Sequence, residues 1–427
     1  IRITSKKRYG ACRMADAQPK RKRPRSSSVT ADKTAVAQRV VDFYNADIQA
    51  RSFDIEARLQ RYAKFRSWVE PKNWPWEDCC FSLDTEILTK RGWVGVAEVQ
   101  IGEEVYSRSE AGVADYFPVT DKQRTVSSRA IRFLGKSVDL LVTPNHRILV
   151  ETWSGKSRFV KAEEFIGLSN QGWYIPLTSE WVGETPREIH GMDPFAYAEL
   201  LGWYVSEGSC NPSGSFFIAQ SRTANVEKCE AIAETVVACG ITHKQYEQSF
   251  TLHATSMPGS VKTELRSLGK VTQKHIPAYM LGMSKPILSS LLGTLVAGDG
   301  HIRGNGAVGY TTTSRLLADQ VQEIAQKVGL RATITEKDPS GGIVRGKQIM
   351  GKHQQYQVNI NRKQSVQVRK LHVEEVFCQE QEFACVEVRP HHTLYVRRNG
   401  KAAWCGNSNT SVPDIMTAQL RMEDTLH

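Results

Sequence analysis

Cys80-Phe81-Ser82-Leu83-Asp84-Thr85-Glu86-Ile87-Leu88-Thr89 is the stretch at which the texture of the chain changes. Upstream, residues 33–68 carry Val40, Val41, Phe43, Tyr44, Ile48, Ile55, Leu59 and Tyr62 at near-helical spacing, with charges between them. That pattern predicts helix, and Asn73-Trp74-Pro75-Trp76 ends it. Downstream, as far as about residue 180, short β-branched runs alternate with turn signals. They include Trp93-Val94-Gly95-Val96, Ile131-Arg132-Phe133-Leu134, Leu140-Leu141-Val142 and Ile148-Leu149-Val150, and together they predict a β-rich domain. From about 190 to 370 helical patterns at 194–206, 224–239, 286–297 and 314–328 alternate with strand patterns at 215–219, 309–313 and 355–360. From 382 to 405 short strand patterns return. A β domain split by a long α+β insertion gives this order.

Size and composition fit that reading. The 427 residues are too many for one ordinary core, so two or three domains are expected. With 40% hydrophobic and 24% charged residues and no long apolar run, the sequence reads as a soluble globular protein with no membrane span. Starting at Ile1, with no secretion signal, it reads as part of a longer chain. The nine cysteines show no Cys-x-x-Cys pair and no zinc spacing, which fits a reducing, cytoplasmic setting rather than a disulfide framework. The net charge of +11 comes mostly from the leading segment, because residues 1–79 hold 18 basic against 9 acidic side chains. Residues 80–407 hold only 37 against 33, so any nucleic-acid site there must rest on local patches. The basic run Lys20-Arg21-Lys22-Arg23-Pro24-Arg25 reads either as a solvated arm or as a phosphate-binding one.

The motifs at the two ends of the β pattern belong together. Cys80 to Thr89 closely resembles the opening block of inteins, and Thr143-Pro144-Asn145-His146 resembles their Thr-x-x-His block. Leu394-Tyr395-Val396-Arg397-Arg398-Asn399-Gly400 and Trp404-Cys405-Gly406-Asn407-Ser408 resemble the two closing blocks. The resemblance implies a Hint-type β fold and self-splicing. The Cys80 thiol attacks the carbonyl of Cys79, with Thr143 holding the strained amide and His146 protonating its nitrogen. The Ser408 hydroxyl takes over the acyl group, and Asn407 cyclises to free Ser408. Every step is intramolecular, so proximity supplies much of the acceleration, and no cofactor is needed. Two departures stand out. The family usually has His before the terminal Asn, and here Gly406 stands there, so His391 or His392 would have to assist. Cys385 stands where many inteins carry Asp, and reads as an acid, a branching thiol or a plain buried cysteine. The adjacent Cys79 could shift the junction by one, or the pair could be two ordinary core cysteines. The apolar residue and Ser after Cys80 favour Cys80.

Inside the insertion, Leu200-Leu201-Gly202-Trp203-Tyr204-Val205-Ser206-Glu207-Gly208 and Leu292-Gly293-Thr294-Leu295-Val296-Ala297-Gly298-Asp299-Gly300 are two copies of one pattern. Small residues four apart, Gly202/Ser206 and Thr294/Gly298, let two helices approach closely. Packed side by side, the helices would bring Glu207 and Asp299 together, and two carboxylates at one point suit Mg²⁺. Two buried helices with capping acids are the plainer alternative. The pair resembles the LAGLIDADG (DOD-type) homing endonucleases, and Lys274-His275-Ile276-Pro277 resembles their lysine-bearing block. The resemblance implies pseudo-two-fold αββαββ halves, a double-stranded DNA target, metal ligation by Glu207 and Asp299, and a role for Lys274 at the scissile phosphate or the attacking water.

The expected organisation is therefore multidomain: residues 1–79 an N-terminal flank (basic arm, then helix), 80–185 the first splicing half, 186–375 the endonuclease, 376–407 the second splicing half, and 408–427 the downstream flank. The expected site residues are Cys80, Thr143, His146, His392, Asn407 and Ser408 for splicing, and Glu207, Asp299 and Lys274 for DNA cleavage. The joined flanks loosely resemble a tailed-phage portal protein, which implies a ring-forming host in a bacterial cytoplasm, with the excised piece a monomer. A Hint-type domain that cleaves without ligating, a degenerate endonuclease, and a nucleic-acid-binding module without chemistry are the alternatives.

Overall fold

The structure is a computed structural model that describes residues 79–167, 172–304, 306–339, 342–344, 347–349 and 351–407. The expected basic arm, the helix over 33–68, Ser408 and the downstream flank lie outside these residues. Strands begin at the quoted stretch: β1 (Phe81–Ser82), β2 (Glu86–Thr89), β3 (Gly92–Gly95), β4 (Glu104–Arg108), β5 (Val113–Leu134), β6 (Asp139–Val142), β7 (Arg147–Thr152), β8 (Ser157–Lys161), β9 (Trp173–Pro176) and β10 (Glu180–Trp181). Then come α1 (Pro194–Glu207), β11 (Gly208–Cys210), β12 (Phe216–Ala219), α2 (Val226–Ala238), β13 (His243–Gln245), β14 (Ser249–Leu252) and α3 (Gly259–Ser267). A second series follows: α4 (Lys285–Asp299), β15 (Gly300–Ile302), β16 (Val308–Thr312), α5 (Arg315–Lys327), β17 (Arg331–Lys337), β18 (Gly342–Val344), β19 (Lys347–Ile349) and β20 (Gln355–Asn361). β21 (Ser365–Gln367), β22 (His372–Val388), β23 (Thr393–Arg398) and β24 (Lys401–Gly406) complete the chain. The fold is mostly β with few helices. Among the described residues no helix is long and apolar enough to cross a membrane.

The two ends of the described chain build one β layer. β22 runs antiparallel to β5 along most of its length, and β1 lies between β22 and β6. β23 and β24 form a hairpin whose turn residues Asn399 and Gly400 both have positive φ, the geometry that Asn-Gly favours in a two-residue hairpin turn. Phe81, Ile131, Phe133, Val142, Phe383 and Val396 are buried in one core beneath these strands. Pairing with the N-terminal strands resumes at Ser365, where β21 joins β9, so it starts before the boundary expected at 376.

The central part is internally duplicated. The strand orders β11-β12-β14-β13 and β15-β16-β20-β17 are the same in sense, and each follows a long apolar helix, α1 or α4. The second copy does not stand free of the outer strands. β17 pairs with β24 through Thr333 and Lys401, so one sheet runs on from the duplicated part into the outer β layer. The Ile334 N–H donates to Gly400 O at 2.9 Å. Helix α5 closes this seam. Arg397, fully buried, donates to both oxygens of Glu86 at 2.7 Å, to Asp319 at 2.5 Å and to Gln322 at 2.9 Å, with Trp93 stacked on its guanidinium. Lys327 pairs with Glu323 at 2.6 Å and sits over the Tyr116 and Trp181 rings. Charges this deep are tolerated because each is paired and hydrogen-bonded.

Candidate functional site

The outer motifs meet at one buried imidazole. The tight Thr143–His146 turn links β6 to β7, with His146 N–H donating to Thr143 O at 3.0 Å. It points Thr143 and His146 back at the start of β1. The Cys80 amide N–H donates to Thr143 Oγ1 at 3.0 Å, and Thr143 N–H donates to Cys80 O at 3.0 Å. Cys80 is thus gripped on both sides of its main chain. His146 Nδ1 lies 3.4 Å from Cys79 Sγ, and its Nε2 lies 3.2 Å from Cys405 Sγ. Main-chain hydrogen-bonding groups of Cys79 and Gly406 face the same ring, and Phe81 packs edge-on against it at 4.2 Å. Burial holds the ring's pKa down at about 3, so it is neutral in the resting protein. Burial likewise pushes the Cys405 thiol up, so it keeps its proton.

The other end arrives on β24. Asn407 N–H donates to the main-chain carbonyl of His392 at 3.1 Å, and the Cys79 thiol donates to Asn407 O at 3.3 Å. The Asn407 side chain is fully buried, and neither atom of its amide has a hydrogen-bond partner among the described residues. His392 therefore meets Asn407 through its backbone, while the His391 ring packs on Phe117 at 4.9 Å. Gly406 has a steric reason. A Cβ there would overlap the main-chain carbonyl of Arg147 and press on the Phe159 ring at 3.1 Å. The same Arg147 donates its N–H to Cys79 Sγ at 3.1 Å, so the first residue of β7 braces both ends of the segment. Cys385 is buried on β22 and paired across to Gln123. Ser408 lies outside the described residues.

The inner motifs form a second cluster. Helices α1 and α4 pack with Gly202 against Thr294 and Gly298 against Ser206, contacts that any Cβ on either glycine would break. This close approach sets the helix ends together. Lys274 Nζ donates to Ser206 O at 2.8 Å, directly before Glu207. Lys228 Nζ donates to Gly298 O at 3.2 Å, directly before Asp299. Desolvation raises the Glu207 pKa, although both lysines oppose the shift. Desolvation and then the Glu207 charge push Asp299 up to about 6. Desolvation lowers Lys274 while both carboxylates pull the other way. Sequence reasoning did not single out Lys228. It stands on the first turn of a helix like many surface lysines, and only the helix packing gives it a partner. Two mutually repelling, half-buried carboxylates form an oxygen donor set that a hard divalent cation such as Mg²⁺ fits.

A section of the DNA-directed RNA polymerase subunit beta of Stigeoclonium helveticum is 23% identical over 405 residues, 80% of this chain and 37% of that protein. Protein RecA of Mycobacterium tuberculosis is 24% identical over 54% of this chain and 30% of its own length. Replicative DNA helicase DnaB of Mycobacterium intracellulare is 25% identical over 61% and 44%. The chain thus spans less than half the length of these relatives. Among solved structures, a class 3 split intein (AceL NrdHF) overlaps 78% of this chain and 99% of its own, at 10% identity and a TM-score of 0.32. The homing endonuclease I-DmoI, in complex with its target DNA in the presence of magnesium, overlaps 39% and 89%, at 13% identity and a TM-score of 0.27. A bacterial intein-like domain from Clostridium thermocellum overlaps 23% and 65%, at 19% identity and a TM-score of 0.20. Residues 287–368, which begin within α4 and run past β20, match the family model of the LAGLIDADG-like domain.

Proposed function

We propose that the chain splices itself, excising residues 80–407 and joining Cys79 to Ser408, and that the duplicated part cleaves double-stranded DNA. One observation carries the first half. A single neutral imidazole, His146, stands between Cys79, the residue just before the excised segment, and Cys405 near that segment's far end, positions far apart in sequence. In the first step the Cys80 thiol attacks the Cys79 carbonyl. Thr143 Oγ1 holds the Cys80 N–H, and the departing nitrogen takes its proton from the His146 side. The Ser408 hydroxyl then displaces the thioester. The Asn407 amide nitrogen attacks its own carbonyl carbon and releases Ser408. An O-to-N acyl shift completes the join. The burial of Cys79, Cys80, His146 and Asn407 suits each step, because exposed acyl intermediates would hydrolyse. The similarity to a polymerase subunit, RecA and a helicase also supports the reading. Proteins with nothing evident in common are the expected company of an inserted element.

For the second activity, Glu207 and Asp299 would hold Mg²⁺, which when bound supplies positive charge at a scissile phosphodiester. Lys274 and Lys228 anchor the residues preceding each acid and keep the two helix ends in register. Their ammonium groups lend positive charge to a site for a polyanion. The phage portal host, and a monomeric state of the excised piece, are part of the same proposal and rest on sequence resemblance.

Intact mass spectrometry of the expressed chain tests the splicing. The wild type should yield residues 80–407 and a joined remainder, while Asn407→Ala should retain the downstream segment. A wild type that stays at full length refutes it. Plasmid cleavage by the excised piece, lost in Asp299→Asn and in EDTA, tests the nuclease.

A further inference from the structure

Resting on the splicing reading, we propose that Cys79, a residue of the flank rather than of the excised segment, is a catalytic residue for release at the far junction. Its thiol donates a hydrogen bond to the Asn407 carbonyl oxygen and polarises the bond that Asn407 breaks.

The histidine usually found before the terminal Asn cannot be accommodated, because a side chain at position 406 would collide with Arg147. His392 meets Asn407 through its main-chain carbonyl, and the His391 ring packs on Phe117. What does reach the Asn407 carbonyl is Cys79 Sγ, at 3.3 Å in a fully buried setting. The sulfur is fixed from behind by the Arg147 N–H at 3.1 Å, which donates to it and leaves the thiol proton to point forward. Cys79 Sγ also lies 3.4 Å from His146 Nδ1. The attacking group is present as well, because the buried Asn407 amide has no partner among the described residues to compete for its nitrogen.

The step balances. The Asn407 Nδ2 lone pair forms a bond to the Asn407 carbonyl carbon, and negative charge builds on the oxygen that the Cys79 S–H faces. The bond to the Ser408 nitrogen then breaks, and that nitrogen takes up the proton lost by Nδ2. A succinimide and a free amine result, and Cys79 recovers its thiol unchanged. The earlier steps hand the Cys79 acyl group to the Ser408 side chain, adjacent to the bond being cut, so the thiol is still at hand when needed. A donor aimed at an oxyanion in a dry site is worth far more than the same donor in water.

The experiment uses the full chain in a Cys80→Ala background, in which only the Asn407–Ser408 bond can break, and follows release of the downstream segment by mass. Cys79→Ala should slow release by about tenfold or more, the loss of one weak oxyanion donor. Cys79→Ser should bring the rate back to within about threefold, because a hydroxyl also donates. Release at the parental rate in Cys79→Ala, or a Cys79→Ser variant as slow as the alanine one, overturns this role for Cys79. A parent that releases nothing overturns this role, and a wild type that stays at full length overturns the splicing reading itself.

Discussion

At the scale of the residue, Gly406 exerts control by what it lacks. A side chain there would drive β24 off the backbone of β7, so placing a histidine at this position should not improve the proposed splicing. In a Cys80→Ala, Asn407→Ala background that cannot react, Gly406→His should cost about 1–3 kcal/mol of stability, the usual price of overpacking. Thermal melting reads this, and an unchanged Tm would contradict it. Sequence motifs singled out Cys80, Thr143, His146 and Asn407, and the structure gathers them at one buried place. The approach of the Cys79 and Cys405 sulfurs to His146 was not legible, since it depends on which strand passes behind them. The same holds for Lys228, whose partner Gly298 is supplied by another helix.

At the scale of the element, α1 and α4 turn small residues into a shared acidic point. Asp299, raised to about 6 from the ordinary 3.8, binds its proton more tightly folded than unfolded. Its contribution therefore favours the fold at low pH and is lost as pH rises through about 6. At pH 7.5 in EDTA, Asp299→Asn should stabilise the protein by about 1–3 kcal/mol, and near pH 4 the gain should vanish. Adding Mg²⁺ should raise the melting point of the wild type more than that of the variant. A variant less stable at pH 7.5 would contradict the assignment. Both helices were legible almost to the residue, because an apolar run ending in acid and glycine specifies helix and terminus together. Helix α3 was missed, being short and largely polar. The length of β5 was missed too, because its middle, from Asp121 to Arg129, is polar and half exposed and reads as loop.

At the scale of the whole molecule, the order of the parts was legible and their fusion was not. Gln320, Gln322, Glu323, Gln326 and Lys327 are polar, yet all five are buried. Only the partners across the seam, such as Arg397 and Tyr116, explain why polar atoms are used there. Arg397→Ala would leave Glu86 without its cation and Asp319 with Arg315 alone, and should cost about 3–5 kcal/mol. A denaturant midpoint measured on the unreactive double variant tests this, with slower release of the downstream segment expected when Arg397→Ala is placed in the Cys80→Ala background instead. Unaltered stability would mean that the seam is only a contact and not a support.

The bridge from β17 to β24 also bears on how the central segment could be lost. A deletion that discarded it would remove that bridge and take Asp319 and Gln322 from Arg397. On the proposed function, selection for splicing would then preserve the reading frame of the central segment whether or not it cuts DNA. Shortened descendants would carry compensating changes at Gly400, Arg397 and Tyr116 together.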